Sequence, residues 1–370
     1  MHVLHVSEVS WGGVVSLLRD FTSEQVRRGH RVSVLAPVEL PDLDTAVRRT
    51  DWLIDRRRPS TFPRAMAQLR ATIRRERPDV VHLHSAFAGF LGRLPLVGTG
   101  CTPVVYQPHA WSFDVFEDAR LRWMSQRWEQ LADRRTDVLV GNCEDEISQG
   151  RRLGMVSPGH SLGVPLDLEH FHLVDADERA RHREALQMGG QRSLLCLARL
   201  AKQKGQDLLV SAWEAAPIPE TVLWLVGPGD PEPLRALAPT QWGRTISWVG
   251  DQADVRPYIW TADLLVLPSR YETVAVVVTE AMACGTPVVA VAVNGAAMAI
   301  SDGPQAPGGV VVAPGDMSAL LAESERLLDD PATRETLGRA GRHRVSSLFA
   351  RPLVVDRLDE AYASAMRGQR

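Results

Sequence analysis

The stretch "RYETVAVVVTEAMACGTPVVA" (residues 270–290) places two glutamates, Glu272 and Glu280, in an otherwise almost wholly apolar run. The β-branched residues of this run, taken alone, favour a strand. The turn-like "PSRYET" before it and the clean strand "PVVAVAV" after it favour instead a loop over 268–273 and a buried helix over 275–284. The first N–H groups of such a helix form a site for phosphate, and Glu280, about two turns in, would accept hydrogen bonds from ribose hydroxyls. The alternative is that both glutamates face water.

Short β-branched runs alternate with amphipathic stretches along the chain, as in parallel α/β sheets. We predict one series of strands at 2–7, 31–37, 79–84, 102–107 and 137–142, and a second at 192–199, 221–227, 245–250, 263–269, 286–293 and 308–314. The intervening helices are predicted at 14–28, 63–76, 86–94, 116–133, 144–153, 206–215, 231–238, 253–260, 275–284, 316–329 and 331–346. The region 165–190 is polar and unperiodic and marks the boundary, and 350–370 forms one more amphipathic helix. Because ligands of open α/β sheets bind at the carboxyl ends of the strands, we expect an interdomain active site.

The composition is that of a globular protein of two domains, with 370 residues, 45% hydrophobic and 24% charged residues. A net charge of −3 does not indicate nucleic-acid binding. The start "MHVLHVSEVSWGG" lacks the pattern of a signal peptide, and no apolar run reaches the ~20 residues of a membrane span. Four cysteines without metal-type spacing are interpreted as buried free thiols of a cytoplasmic protein: Cys101, Cys143, Cys196 and Cys284.

A second candidate site lies in "LARLAKQKGQD" (197–207), where Arg199 ends a predicted strand and Lys204 precedes a helix opened by Gly205. Two cations beside a helix N-terminus would suit a diphosphate. The alternative is a solvated basic loop. Of the 42 basic residues only two are lysines, and both lie here, which hints that a compact ammonium is needed.

Other candidates lie at predicted strand ends in the first half. His109 follows a strand in "VVYQPHAWSF", where it is either structural or part of a site. His82 and His84 alternate on one strand, so both rings point to one face; two histidines without a third ligand make a poor metal site, and we interpret them as structural or acceptor-side. Gly12 and Gly13 let a ligand approach the backbone after the first strand, although G-x-G-x-x-G is absent, which disfavours an NAD-linked oxidoreductase.

Two charged segments have competing interpretations. Asp42 and Asp44 form a D-L-D triplet, but a flexible loop is the wrong place for a metal site, and we predict none. Residues 48–77 carry ten arginines against three acids. They form either a solvated helix face or a surface that docks on an anionic membrane, to which each cation would add about 1 kcal/mol.

The stretch "YETVAVVVTEAMACGTPVVA" resembles the E-x7-E signature of retaining GT-B glycosyltransferases of family 4, and "TADLLVLPS" and "GGVVVAPGD" are similar to its flanking segments. "LARLAKQKG" resembles the family's Arg-Leu…Lys-Gly motif, and His109 its active-site histidine. The resemblance implies catalytic roles for His109, Glu272, Arg199 and Lys204. It implies nucleotide-sugar binding by Gly12, Gly13, Arg199, Lys204, Val249, Glu272, Val274, Ala275, Val276 and Glu280. Val274 and Ala275 replace the family's usual aromatic-glycine pair, and a Cβ at 275 narrows the approach of a phosphate.

The resemblance also implies the architecture: a GT-B fold of two Rossmann-like, doubly wound α/β domains facing a cleft, with the C-terminal helix crossing back. The acceptor domain would span 1–168 with helix 350–370, and the nucleotide-sugar domain 169–349. The implied activity is retaining, metal-independent transfer from a nucleotide diphosphate sugar, preferably a UDP-sugar, with no cofactor.

The implied acceptor is a small molecule or a lipid-linked glycan of the cell envelope or of secondary metabolism. In this family the leaving phosphate is held to deprotonate the acceptor on the same face of the sugar. Two alternatives share the fold: a nucleotide-sugar epimerase, which needs no acceptor, and a non-catalytic nucleotide-sugar-binding protein.

Overall fold

The computed structural model describes residues 1–40, 43–98 and 102–368, and it divides into two compact units. Unit 1 comprises Met1–Pro165 with Arg351–Arg370, and unit 2 comprises Leu166–Ala350. Asp42 and Cys101 lie outside the described residues. Within the described residues, no helix has both the length and the apolar composition that crossing a membrane requires.

Unit 1 is a parallel sheet of seven strands with helices on its faces. Its strands are β1 His2–Ser7, β2 Arg31–Ala36, β3 Arg48–Asp51, β4 Val80–His84, β5 Val104–Gln107, β6 Val138–Gly141 and β7 Gly159–Ser161. Its helices are α1 Gly13–Arg27, α2 Phe62–Glu76, α3 Ser85–Gly92, α4 Ser112–Val115, α5 Ala119–Ala132 and α6 Glu144–Arg152. The strand order is β3-β2-β1-β4-β5-β6-β7, so the direction of winding reverses between β1 and β4.

Unit 2 repeats the pattern with six parallel strands in the order β10-β9-β8-β11-β12-β13. Its strands are β8 Arg192–Leu197, β9 Thr221–Val226, β10 Ile246–Gly250, β11 Leu264–Leu267, β12 Val288–Val291 and β13 Gly309–Val312. Its helices are α7 Ala176–Ala185, α8 Gln206–Ala215, α9 Glu232–Leu237, α10 Arg256–Thr261, α11 Val276–Ala283, α12 Ala296–Ile300, α13 Met317–Asp329 and α14 Pro331–Leu348. Here the winding reverses between β8 and β11.

The last helix, α15 (Arg351–Arg367), packs against α1 and the strands β4 to β6 of unit 1. Its apolar stripe, which includes Val354, Val355 and Leu358, is completely buried. Arg357 adds a hydrogen bond to the carbonyl oxygen of Leu162. The helix therefore completes the core of the unit that holds the N-terminus.

Every predicted strand is present, but the polar region 165–190, where no helix was predicted, contains one. Helix α7 lies there, capped by Asp175, whose carboxylate accepts a hydrogen bond from the N–H of Glu178. This helix buries no side chain; Arg179 and Arg183 instead donate to the carbonyl oxygen of Thr261. A helix held by charge and capping has no apolar stripe, so periodicity could not indicate it.

Three further departures from the predictions have local causes. The helix predicted at 116–133 is α5, which begins only at Ala119 because the Asp118 carboxylate caps its N-terminus, and the short helix α4 precedes the predicted range. The segment 48–77 is not one helix face, since it begins with the polar strand β3 at the sheet edge. The short strand β7, "GHS", and the short helix α12 also escaped prediction because neither has an apolar repeat.

Candidate functional site

The reversal point of unit 2 brings together the loops after β8 and β11, and with them Lys204 and Glu272. Lys204 Nζ lies 2.5 Å from Glu272 Oε1, and Ser269 Oγ donates to the same oxygen at 2.9 Å. The glutamate side chain is 8% exposed and the lysine side chain 22%. Among the described residues nothing donates to Glu272 Oε2, and an ammonium has three donors. The pair therefore keeps both an acceptor and donors available to a ligand.

Backbone packing fixes this pair in place. Gly205 has φ +71°, and a Cβ there would lie 2.0 Å from the carbonyl oxygen of Pro268, so only glycine lets the two loops touch. Arg270 then links the two loops through a bidentate ion pair with Asp207 and a hydrogen bond to the carbonyl oxygen of Lys202. The residues that align Lys204 with Glu272 are thus distinct from the pair itself.

The predicted loop-then-helix over 268–284 is confirmed, since α11 starts at Val276. Its first turn has no side-chain cap and no acidic residue, which leaves its N-terminus suited to an anion. Glu280 lies one turn, not two, into the helix, and with Val276 and Val277 it forms the half-buried face of α11. Val274 and Ala275 are buried, and Gly295 (φ +71°) packs with its α-carbon on the carbonyl group of Thr273.

Arg199 is exposed just after β8, and Val249 is half-buried at the end of β10. Gly227 approaches the backbone of Ala198, where a Cβ would lie 2.3 Å from the carbonyl oxygen. The structure therefore places Arg199, Lys204, Glu272 and the start of α11 at the same edge of the unit 2 sheet.

In unit 1, His109 follows β5 with φ +54° and Ala110 with φ +100°, which are strained values for residues other than glycine. The carboxylate of Glu146 holds this turn: Oε1 accepts from the N–H of Ala110 at 2.8 Å and Oε2 from the N–H of Asn142 at 2.7 Å. Burial raises the pKa of Glu146 to about 7, although both N–H groups act in the opposite direction. Strain that is held so firmly is typical of a functional position.

Gly12 lies after β1 with φ +78°, and it and Gly13 are exposed at the start of α1. Across the reversal point, the carboxylate of Glu8 accepts from the N–H groups of Phe87 and Ala88, both at 3.0 Å, and so caps α3. Glu8 is buried, which raises the pKa of its carboxyl group. Sequence reasoning missed Glu8 and Glu146, because both act on backbone groups distant in the chain.

His82 and His84 do point to one face, but the statement that they lack a third histidine is wrong: His5 of β1 joins them. The nitrogens of the three rings lie within 4.8 Å of one another, which is a spacing that a metal ion can bridge. Hydrogen bonds, however, already use both nitrogens of His5 and both of His84, so metal binding would have to break them. The donor set as it stands fits a hydrogen-bonded cluster better than a metal centre.

Burial favours the neutral form of the three clustered histidines and of His109 near pH 7. Burial lowers the pKa of His5 to about 4 and that of His109 to about 3. Burial, reinforced by the neighbouring imidazoles, also lowers the pKa of His82 and His84 well below the usual value. Three cysteines are buried free thiols, as predicted, and burial raises the pKa of each to about 12: Cys143, Cys196 and Cys284.

Comparison with known proteins places the chain in a family. Residues 11–161 match the model of Glycosyltransferase Family 4, and residues 191–330 that of Glycosyl transferases group 1. A D-inositol 3-phosphate glycosyltransferase of Catenulispora acidiphila is 31% identical, over 97% of this chain and 93% of the relative. The chain belongs to the group 1 glycosyltransferases of family 4. It is a glycosyltransferase enzyme.

Solved structures agree on the GT-B fold. A sucrose-phosphate synthase from Thermosynechococcus elongatus superimposes with a TM-score of 0.85 at 24% identity, covering 98% of each chain. HepE of Anabaena, solved with UDP and glucose, gives 0.81 at 19% identity over 98% of this chain and 100% of its own. At these identities the likeness shows the fold alone, and the predicted fold class is confirmed.

Proposed function

We propose that this family 4 enzyme is a retaining, metal-independent glycosyltransferase whose donor is a nucleotide diphosphate sugar, with UDP preferred. The observation that carries the proposal is the Lys204–Glu272 pair, held at the reversal point of unit 2 beside the uncapped start of α11. A buried carboxylate with an open oxygen suits a sugar hydroxyl. An ammonium beside a helix N-terminus suits a diphosphate.

In the proposed reaction, the bond between the anomeric carbon and the phosphate oxygen breaks while the acceptor oxygen bonds to the same face of that carbon. The acceptor's hydroxyl proton passes to the departing phosphate oxygen. Negative charge grows on the diphosphate, and Lys204, Arg199 and the N–H groups at the start of α11 would stabilise it, which is where fixed donors help most. Glu272 would hold sugar hydroxyls through Oε2, and Glu280 the ribose. His109 would bind a sugar hydroxyl.

The identity of the donor is part of the proposal. HepE was solved with UDP-glucose, whereas a Mycolicibacterium smegmatis relative, 28% identical over 90% of both chains, is named for GDP-mannose. The same name, a mannosyltransferase acting on a phosphatidylinositol monomannoside, supports a lipid-linked acceptor. A small polar acceptor is supported by the inositol phosphate relative. We propose that the reaction takes place on the cytoplasmic side of the membrane.

We propose that Arg48–Arg77 contacts an anionic membrane, and the charges of this segment suit that role. All its arginines except Arg49 are exposed. Helix α3 packs against α2, and its Phe90 ring contacts Trp128 of α5 with 4.8 Å between ring centroids, so α2 and α5 share one face of the sheet. On α5, Trp123 is 57% and Met124 59% exposed, which adds apolar groups to the arginines. The protein should co-sediment with anionic vesicles, and Trp123→Ser should weaken this binding. Equal binding to neutral vesicles would contradict the proposed membrane contact.

The experiment that tests the proposed function combines thermal shift with donor hydrolysis, using UDP- and GDP-sugars in the presence of a chelator. We expect one nucleotide sugar to raise the melting temperature of the wild type, and Glu280→Ala to lose most of that shift because the ribose loses its acceptor. Val277→Ala, on the same half-buried face, is the matched control. No response to any nucleotide sugar would refute the proposal.

A further inference from the structure

The ring of His109 is the end point of two series of hydrogen bonds that start from one buried residue, Gln25 of α1; the first series is continuous and the second has one gap. The first runs from Gln25 through His5 and His84. The second runs through Tyr362 of α15 to His82 and resumes from Gln107 through Asn142, with no hydrogen bond between His82 and Gln107. Gln25, His5, His82, His84 and Tyr362 are all fully buried. These groups occupy the position between sheet and helices where apolar side chains would otherwise pack.

The first chain has only one proton arrangement compatible with the Gln25 amide. Gln25 Oε1 lies 2.8 Å from His5 Nε2, which must therefore donate. The neutral His5 ring then accepts at Nδ1 from His84 Nε2, 2.9 Å away. In turn His84 Nδ1 accepts from His109 Nε2, also at 2.9 Å. His109 thus carries its proton on Nε2 and a lone pair on Nδ1.

The orientations of the groups in the second series agree with this arrangement. The amide nitrogen of Gln25 donates to the Tyr362 hydroxyl, which donates to His82 Nδ1 at 2.8 Å. The neutral His82 ring, which accepts at Nδ1, carries its proton on Nε2. His82 Nε2 and Gln107 Oε1 are both buried, and among the described residues neither has a hydrogen-bond partner.

Gln107 then donates to Asn142 Oδ1 at 2.8 Å, and the Asn142 amide nitrogen points at His109 Nδ1 from 3.4 Å. This long contact again makes Nδ1 an acceptor, and it is weak enough for a ligand hydroxyl to replace.

We propose that Gln25, His5 and His84 are positioning residues that fix His109 as its Nε2–H tautomer, so that Nδ1 offers a lone pair to a hydroxyl group of the substrate. The role for the substrate rests on the proposed function, whereas the tautomer does not. The low pKa of His109 agrees, because a neutral ring that lacks a proton on Nδ1 accepts a hydrogen bond but delivers no proton there. His109 would therefore select a hydroxyl group rather than act as an acid.

The chain of hydrogen bonds is poorly suited to carry a proton away from His109. Both of its routes end at Gln25 and Tyr362, which are buried and belong to helices packed on each other. An amide does not take up or release protons near neutral pH, so a proton entering at His109 would have no exit. A chain of hydrogen bonds with no exit for a proton can orient the His109 ring but cannot conduct protons.

The test is ¹⁵N NMR of the full chain labelled at histidine, in which long-range couplings within each imidazole report which nitrogen is protonated. The sequence has 11 histidines, and His109→Asn assigns the signal of His109 by its loss. We expect protonation at Nε2 near pH 7 without any ligand. Gln25→Leu should give His109 a mixture of tautomers, while Gln25→Glu, which keeps the acceptor, should retain Nε2–H. Thr22→Val, one turn earlier on α1 and buried outside the chains, is the matched control.

Protonation at Nδ1, a charged ring, or an Nε2–H tautomer that persists in Gln25→Leu would each overturn the proposal. Once the donor is identified, kcat/KM should be at least tenfold lower in Gln25→Leu than in the wild type and should stay within about threefold of the wild type in Gln25→Glu. If the tautomer is as expected but no sugar is transferred, the proposed function fails and the positioning chain stands.

Discussion

Replacing Lys204 by methionine should remove the cation that compensates Glu272 and keep the volume of the side chain. The glutamate would then be 8% exposed with only Ser269 as a donor to Oε1. Breaking a fully buried ion pair costs about 3–5 kcal/mol, and breaking an exposed one about 0–1 kcal/mol. Because Lys204 is 22% exposed, we expect a loss of about 2 kcal/mol in the free energy of unfolding.

A double-mutant cycle separates this pairing from other effects. Glu272→Gln should cost about 1 kcal/mol, since the lysine left behind can reach water. The double variant should lose at least 1 kcal/mol less than the sum of the single losses, because it leaves no unpaired charge. Unfolding in urea gives the free energy of unfolding of the wild type, the two single variants and the double variant. Lys202 is exposed in the same loop, so Lys202→Met is the control and should change this free energy little.

The same proteins test the chemistry. Lys204→Met should lower kcat at least tenfold, which corresponds to about 1.4 kcal/mol of transition-state stabilisation. Additive losses of stability, with kcat unchanged, would refute the view that the pair is built to hold charge for a donor.

Two further predictions concern the loops. Gly205→Ala should lower the free energy of unfolding by several kcal/mol and abolish donor binding, since it adds a clash with Pro268 to the strain of a positive φ. Gly315 has φ +75° but open space around it, so Gly315→Ala should cost only about 1 kcal/mol. Equal losses of stability in the two variants would exclude the clash. Glu146 has a pKa of about 7 when folded against 4.5 unfolded, so its stabilisation is full below pH ~4.5 and lost as the pH rises through 7. The free energy of unfolding of wild type relative to Glu146→Gln should thus fall by about 2–3 kcal/mol between pH ~5 and ~8; a constant difference would contradict the raised pKa.

Local sequence was enough to predict α11 and the strands around it. The run 276–283 is apolar on nearly all sides, so its periodicity is uninformative, and the flanking turn and Gly285 identify it as a helix. Arg199 and Lys204 were also found locally, because Arg199 ends a predicted strand and Lys204 precedes a helix opened by Gly205. These features depend on a few neighbouring residues.

The partners of the site residues depended on topology. Lys204 meets Glu272, 68 residues later, because β8 and β11 are neighbours in the sheet. His5 meets His84 because β1 pairs with β4 in register, with Ser7 opposite His84 and His5 opposite His82. The strand order predicted for a doubly wound sheet contains both pairings, so histidines on strands one and four were an available signal. The hydrogen bonds from Ala110 and Asn142 to Glu146 depend on the positive φ angles of His109 and Ala110, which no sequence pattern predicts.

The most direct test of the central claim is the anomeric configuration of the product formed in the presence of a chelator. The reaction would be followed by proton NMR from mixing, with the best donor from the panel and acceptors that include inositol phosphate and a phosphatidylinositol glycoside. We predict one glycoside per nucleoside diphosphate released, with the configuration of the donor sugar preserved. An inverted glycoside, a strict requirement for added metal, or conversion of the donor to an epimer without acceptor would contradict retaining, metal-independent transfer.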